Sequence, residues 1–124
     1  MRLNQVTLAV VELERSVAYY RRLGLRQIVA SEHYARFALP DGDSTLSLER
    51  ADAMPVSATT IYFECDDLDA TVTRLKASGV RFDQDPVDQP WLWREARLHD
   101  PDGNRLCLFH AGVNRLDPPW RLPE

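Results

Sequence analysis

The chain states one pattern twice. Residues 6–26 align without a gap on residues 61–81, so that Leu13 falls on Leu68, Val17 on Val72, Gly24 on Gly79, Leu25 on Val80 and Arg26 on Arg81. Pro40-Asp41-Gly42 recurs as Pro101-Asp102-Gly103, and each copy runs into a short apolar segment, Leu46-Ser47-Leu48 or Leu106-Cys107-Leu108. Two copies are too few for a stacked solenoid, which needs at least about three units to bury a continuous core. The expectation is therefore two similar half-domains sharing a cleft, a natural place for a ligand.

Local periodicity gives each half the same plan. Residues 3–10 alternate, with Val6, Leu8 and Val10 on one face and Gln5, Thr7 and Ala9 on the other, the mark of a strand covered on one side. Leu13, Val17, Tyr20 and Leu23 then recur at helical spacing. Gly24 ends that helix, because glycine takes the left-handed C-terminal position without steric cost. Strands are expected near 25–31, 34–39 and 44–50. The second half repeats this with a strand at 58–65 and a helix capped by Asp66 or Asp67, carrying Leu68, Val72 and Leu75 inward and stopped by Gly79. A short strand near 80–83, a loop rich in Asp, Gln and Pro, a long strand over 91–99 and a last strand over 104–110 complete it. The fold class is α+β, two βαβββ modules forming an open, cavity-containing barrel. Module one covers residues 1–52 and module two 58–110, together one domain. The tail 111–124 is expected to be irregular, with Trp120 packed on the body or on a partner subunit.

Composition narrows the partners. At 124 residues with 44% hydrophobic content, the chain can build a core without staples. Its net charge is −4 and its charges are interspersed, with no basic stripe, so no nucleic acid is expected. The N-terminus lacks the basic-then-apolar layout of a signal peptide, and no apolar run approaches the ~18 residues that cross a bilayer. Cys65 and Cys107 show no CxxC spacing and are expected as free thiols. A cytoplasmic protein with no membrane partner is the expectation.

With these residues in place, the chain resembles the vicinal oxygen chelate superfamily, the group of glyoxalase I, extradiol dioxygenases and the fosfomycin- and bleomycin-resistance proteins. The resemblance covers about residues 3–110. It is carried by the paired plan, by Asp100-Pro101-Asp102-Gly103-Asn104 before the last strand, and by Phe63-Glu64-Cys65-Asp66-Asp67-Leu68-Asp69 at a strand-to-helix join. In metal-using members, His and Glu ligands come from the strands that open and close each module. The resemblance places those positions on Gln5, Ser47, Thr60 and Cys107, so the usual imidazoles and carboxylates are gone. Two alternatives stay open. An irregular divalent-metal site could draw on Gln5, Glu49 and Cys107, or the small residues Ser47, Thr60 and Cys107 could shape a metal-free cavity. No cofactor is assigned and the metal ligands are unknown.

Strand parity lists the lining of the expected cavity: Gln5 and Thr7, Ser47 and Glu49, Thr60, Tyr62 and Glu64; the resemblance adds Cys107. By resemblance to the fosfomycin-resistance proteins, Arg97 faces the substrate, which puts Trp93, Glu95 and His99 on its face. An Arg in a partly dry pocket holds a carboxylate or enolate oxygen, and Trp supplies a flat apolar wall. Glu49, Glu95 and Arg97 are the candidate catalytic residues, either Glu as base and Arg97 as electrophile. Gln5, Thr7, Ser47, Thr60, Tyr62, Trp93 and Cys107 are the candidate substrate-binding residues. An internal Glu95–Arg97 ion pair under a Trp lid is the structural alternative. The expected function is a glyoxalase-like protein that binds a small polar or anionic organic molecule as a lyase, isomerase or dioxygenase. The alternative is a non-catalytic binding or sequestration protein of the bleomycin-resistance type, and whether the chain is an enzyme stays open at this point. A homodimer is expected in either case.

Overall fold

The computed structural model describes residues 1–124. It forms two compact units, Met1–Ala58 with Asp100–Asn104, and Thr59–His99 with Arg105–Glu124.

The first unit runs β1 (Gln5–Val10), α1 (Leu13–Arg22), β2 (Arg26–Ala30), β3 (Tyr34–Ala38) and β4 (Thr45–Arg50). Its sheet has the order β1-β4-β3-β2, with β1 and β4 parallel and the other pairs antiparallel. The alternation read from the sequence decides the faces. Leu8, Val10, Ala35, Phe37, Leu46 and Leu48 are buried on the side that α1 covers, together with Tyr20 and Leu25. Gly24 takes a φ of 101° just past the helix, where a Cβ would be strained. One expectation about α1 changes. Ser16, not Leu13, Val17 or Leu23, shares the fully buried stripe with Tyr20. The reason lies in the turn Asp100–Asn104, which belongs to this unit: Ser16 Oγ donates to Asp102 Oδ2 (2.9 Å) and Tyr20 OH to Asp100 Oδ2 (2.8 Å).

Asp100 is wholly buried and organises that turn. Its Oδ1 accepts from the backbone N–H of Asp102 (3.0 Å) and Asn104 (2.9 Å), while Oδ2 accepts from Tyr20 and from Asn104 Nδ2 (2.8 Å). A buried carboxylate is tolerable only when its lone pairs are filled in this way.

The second unit runs β5 (Thr60–Glu64), α2 (Leu68–Ala77), β6 (Gln84–Asp88), β7 (Arg94–His99) and β8 (Arg105–His110), in the sheet order β5-β8-β7-β6. Asp67 caps α2, its Oδ1 accepting from Ala70 N at 3.0 Å. Leu68, Val72, Leu75, Val80, Ala96, Leu98, Leu106 and Leu108 form the core under the helix. Two boundaries differ from the sequence reading. The sixth strand is Gln84–Asp88 and not 80–83, so it falls in the segment expected to be a loop. Pro86 is tolerated because β6 is an edge strand and its pairing with β7 is irregular between Gln84 and Val87. The seventh strand starts at Arg94 rather than 91, since Gln89–Trp93 closes a tight turn. Gln89 N donates to Trp93 O (2.7 Å), Leu92 N donates to Gln89 O (3.0 Å), and Leu92 sits at a φ of 67°.

The tail is not wholly irregular, because Gly112–Arg115 makes a 3-10 turn. Trp120 is 56% exposed. No helix is long and apolar enough to cross a membrane.

Candidate functional site: an arginine-aromatic face on the second unit

Strand pairing builds the helix-free face of the second unit. In β8, Cys107 lies in register with Tyr62 of β5 and Arg97 of β7, and Phe109 with Glu64 and Glu95. Register partners point to the same side of a sheet. Tyr62, Glu64, Glu95, Arg97, Cys107 and Phe109 therefore share one surface, which Trp93 joins from the end of β7.

Apolar contacts come first. Cys107, Phe109 and Ala111 form a small buried cluster against which Trp93 packs. Trp93 stacks on Phe109 with centroids 4.6 Å apart, and Tyr62 stands edge-on to both, 6.1 Å from Trp93 and 5.7 Å from Phe109. Tyr62 itself remains exposed, so the cluster has an open aromatic rim.

Polar groups are set against that rim. Glu95 is 1% exposed, and both of its oxygens are occupied. Arg97 Nη2 donates to Oε1 at 2.7 Å and Trp91 Nε1 donates to Oε2 at 2.7 Å. The Arg97 guanidinium stands 5.6 Å over the Tyr62 ring, with about a third of its side chain (34%) exposed. Burial works to lower its pKa, but the Glu95 carboxylate holds it above the ordinary value, so Arg97 stays charged. Beneath it, the Cys107 thiol is pushed up to about 11, chiefly by burial, with Arg97 offsetting only part of the shift. It is a protonated, inert thiol at neutral pH. At the far end of the face, burial would raise Glu64. The backbone N–H groups of Ala111 (2.9 Å) and Gly112 (3.0 Å), with Arg115, outweigh burial and hold its carboxyl below the usual range.

The remaining residues expected from the sequence lie as follows. Thr60, half-buried in β5, and His99, at the end of β7, are both in register with Arg105 and so on the same side of the sheet, where His99 Nδ1 bonds Asp83 Oδ2 at 2.8 Å. In the first unit, Gln5 Oε1 accepts from Thr45 Oγ1 (2.8 Å), while Thr7 and Glu49 are exposed. Ser47 is fully buried against the Tyr34 hydroxyl at 2.5 Å. The structure thus brings Tyr62, Trp93, Glu95, Arg97 and Cys107 together in the second unit. It sets Gln5, Thr7, Ser47 and Glu49 along β1 and β4 of the first. Trp91, the second donor to Glu95, was outside the expected site, because a turn rather than strand parity aims its indole. Tyr34 and Arg36 were also missed, although the sequence repeat itself carried a signal for them.

The sequence is matched over residues 2–108 by the family model of the Glyoxalase/Bleomycin resistance protein/Dioxygenase superfamily. The chain belongs to that superfamily, and its two βαβββ modules are the superfamily's fold. Among solved structures it is similar to a glyoxalase/bleomycin resistance protein/dioxygenase from Nocardioides, at 24% identity over 99% of this chain and 90% of that one, with a TM-score of 0.79. It is also similar to a lactoylglutathione lyase from Agrobacterium tumefaciens (22% identity, 90% and 95% covered, TM-score 0.75). A third similar structure is a bleomycin-binding protein complexed with bleomycin (23% identity, 89% and 98% covered, TM-score 0.73). At these identities the likeness establishes the fold. No curated protein matches the sequence significantly.

Membership raises the question of a metal, and the side chains present do not fit one. No three His, Cys, Asp or Glu residues come together as a ligand set. Of the positions that the resemblance points to, Gln5 Oε1 already accepts from Thr45, Ser47 Oγ is committed to Tyr34, and the Cys107 thiol is held in its protonated form. A thiol binds metal as the thiolate, and hydroxyls are weak ligands for borderline ions.

Proposed function

We propose that this protein binds a small organic anion on the second unit's face, with Arg97 as the anchor and Tyr62 and Trp93 as flat walls. One observation carries the reading. Arg97 is pinned at one edge by a buried carboxylate and laid over an aromatic ring, while part of its guanidinium still meets solvent. A cation fixed this way is pre-organised, so less rotamer freedom is lost when a carboxylate or enolate oxygen arrives.

The same geometry favours binding over chemistry. Both oxygens of Glu95 are filled by donors, which suits it to hold Arg97 rather than to take a proton. Cys107 is protonated and buried. This is the sequestration reading, and the solved bleomycin-binding relative, complexed with its ligand, is in keeping with it. A homodimer is part of the proposal, because Val113, Leu116, Trp120 and Leu122 stand exposed. Light scattering that finds a monomer at micromolar concentration removes that part.

Tryptophan fluorescence titrated with benzoate and salicylate tests the anchor. Arg97→Gln should weaken binding by about tenfold to a hundredfold, the worth of one hydrogen bond to a charged group. Equal affinities in the wild type and Arg97→Gln would refute the anchor, as would a wild type that binds no small carboxylate.

A further inference from the structure

The repeat has an arginine in each half. In the second unit Arg97 of β7 lies in register with Cys107 of β8. In the first unit Arg36 of β3 lies in register with Ser47 of β4, and Ser47 is the repeat counterpart of Cys107. Each guanidinium sits over a tyrosine ring, Arg36 at 5.4 Å from the Tyr34 centroid and Arg97 at 5.6 Å from that of Tyr62. Each also bonds to the residue two positions before it. For Arg97 that residue is Glu95, an acceptor. For Arg36 it is Tyr34, whose hydroxyl takes Arg36 Nε–H at 2.9 Å.

This difference leaves the first unit with more donors than acceptors. Tyr34 OH and Ser47 Oγ are 2.5 Å apart and share one hydrogen bond, which either can donate. Two hydroxyls bring two protons, and that bond uses one. The other proton has no acceptor among the contacts of either group, and no carboxylate lies within ion-pair distance of Arg36. Ser47 is fully buried and Arg36 and Tyr34 are half-buried, so the surplus is not simply spread over open surface. In the second unit the chain supplies its own acceptor, Glu95. In the first unit the corresponding place holds a phenol, and no acceptor for the spare proton is within hydrogen-bond distance.

We propose that Arg36, Tyr34 and Ser47 form an oxyanion-binding site on the first unit that takes a small carboxylate. The guanidinium contributes its outer N–H groups, and the hydroxyl pair contributes its spare proton. Tyr34 is tuned for this. Its hydrogen bond with Ser47, then that with Arg36, hold the phenol below its ordinary pKa against the opposing effect of burial. A more acidic phenol is a stronger donor. Glu49, exposed and in register with Tyr34, is the one acid facing the cluster from β4. It limits affinity by like-charge repulsion.

Proton–nitrogen NMR of the arginine Nε–H groups, titrated with benzoate at constant ionic strength, tests the site in the intact chain. The Arg36 signal should shift and saturate. Removing both hydroxyls, in Tyr34→Phe with Ser47→Ala, should weaken that response by about tenfold, one hydrogen bond to a charged ligand. Glu49→Gln should strengthen it, and Tyr34→Glu, which installs the acceptor found in the second unit, should abolish it. An Arg36 signal that does not move in the wild type overturns the proposal without recourse to any variant. So does a shift whose midpoint is the same in the Tyr34→Phe, Ser47→Ala double variant, which would mark loose surface binding. The Arg97 signal is read in the same spectra. Movement of Arg36 alone would sustain this site and refute the Arg97 anchor, and movement of Arg97 alone would do the reverse.

Discussion

Replacing Tyr20 with Phe removes a single oxygen from the centre of the first unit, and the consequences can be worked out atom by atom. The ring stays packed, because its neighbours are the rings of Tyr19 (5.3 Å) and Phe37 (6.1 Å), and neither contact involves the hydroxyl. What disappears is the 2.8 Å donation to Asp100 Oδ2, a carboxylate with no solvent exposure. That oxygen keeps one donor, Asn104 Nδ2, and Oδ1 keeps its two backbone donors. The loss is therefore one of four hydrogen bonds to a buried charge, about 1.5–3 kcal/mol. For a chain of this size that lowers Tm by about 5–12 °C. The pH profile adds a second signature. Burial, then the Asp100 carboxylate, raise the Tyr20 pKa far above its ordinary value. A raised folded-state pKa gives stability that is complete below the unfolded value, about 10 for Tyr, and is lost as pH climbs past it. Wild type should lose stability above about pH 10 more steeply than Tyr20→Phe. Urea unfolding by circular dichroism, at neutral pH and then up the alkaline limb, reads both effects. A loss under about 0.5 kcal/mol at neutral pH, within the range of an ordinary surface substitution, would refute the role given to this hydrogen bond.

Two further outcomes follow from the second unit. The Cys107 folded-state pKa of about 11 lies above the unfolded value, so its contribution is whole below about pH 8.5 and fades as pH rises toward 11; a thiol reagent at pH 8 should label half-buried Cys65 first and Cys107 only at the rate of unfolding, and equally fast labelling of Cys107 in Cys65→Ala would contradict its burial. The Glu64 folded-state pKa is depressed, so its contribution is present above about pH 4.3 and is lost as pH falls through the folded value; Glu64→Gln should flatten the acid limb of the urea midpoint, and an unchanged limb would show that Ala111 and Gly112 do not depend on that carboxylate.

Much of the fold was legible along the chain because its signals are local. The alternation in Val6-Thr7-Leu8-Ala9-Val10 fixes which side of β1 is buried whatever packs there. Gly24 and Gly79 stop their helices through their own backbone freedom, and Asp67 caps α2 with an oxygen three residues from the N–H it accepts. Where a signal depended on partners distant in sequence, the reading shifted. Gln84–Asp88 looks like a loop because Asp, Gln and Pro are poor strand formers, yet pairing with β7 holds it extended. Ser16 breaks the apolar stripe of α1, and only the arrival of Asp102 explains its burial.

By itself, the sequence determined the duplicated βαβββ plan and the buried side of its alternating strands, since these follow from periodicity and residue type alone; the loss of the usual metal-binding side chains is what the family resemblance implies. Only tertiary structure decided what the side chains do. It saturated Glu95 with Trp91 and Arg97, closed a cage of donors around the Asp100 carboxylate, and set the Tyr34 and Ser47 hydroxyls against each other beside Arg36. Hydrogen-bond satisfaction is a count of donors and acceptors brought within about 3 Å of one another. No spacing along a chain fixes that count until the strands have paired.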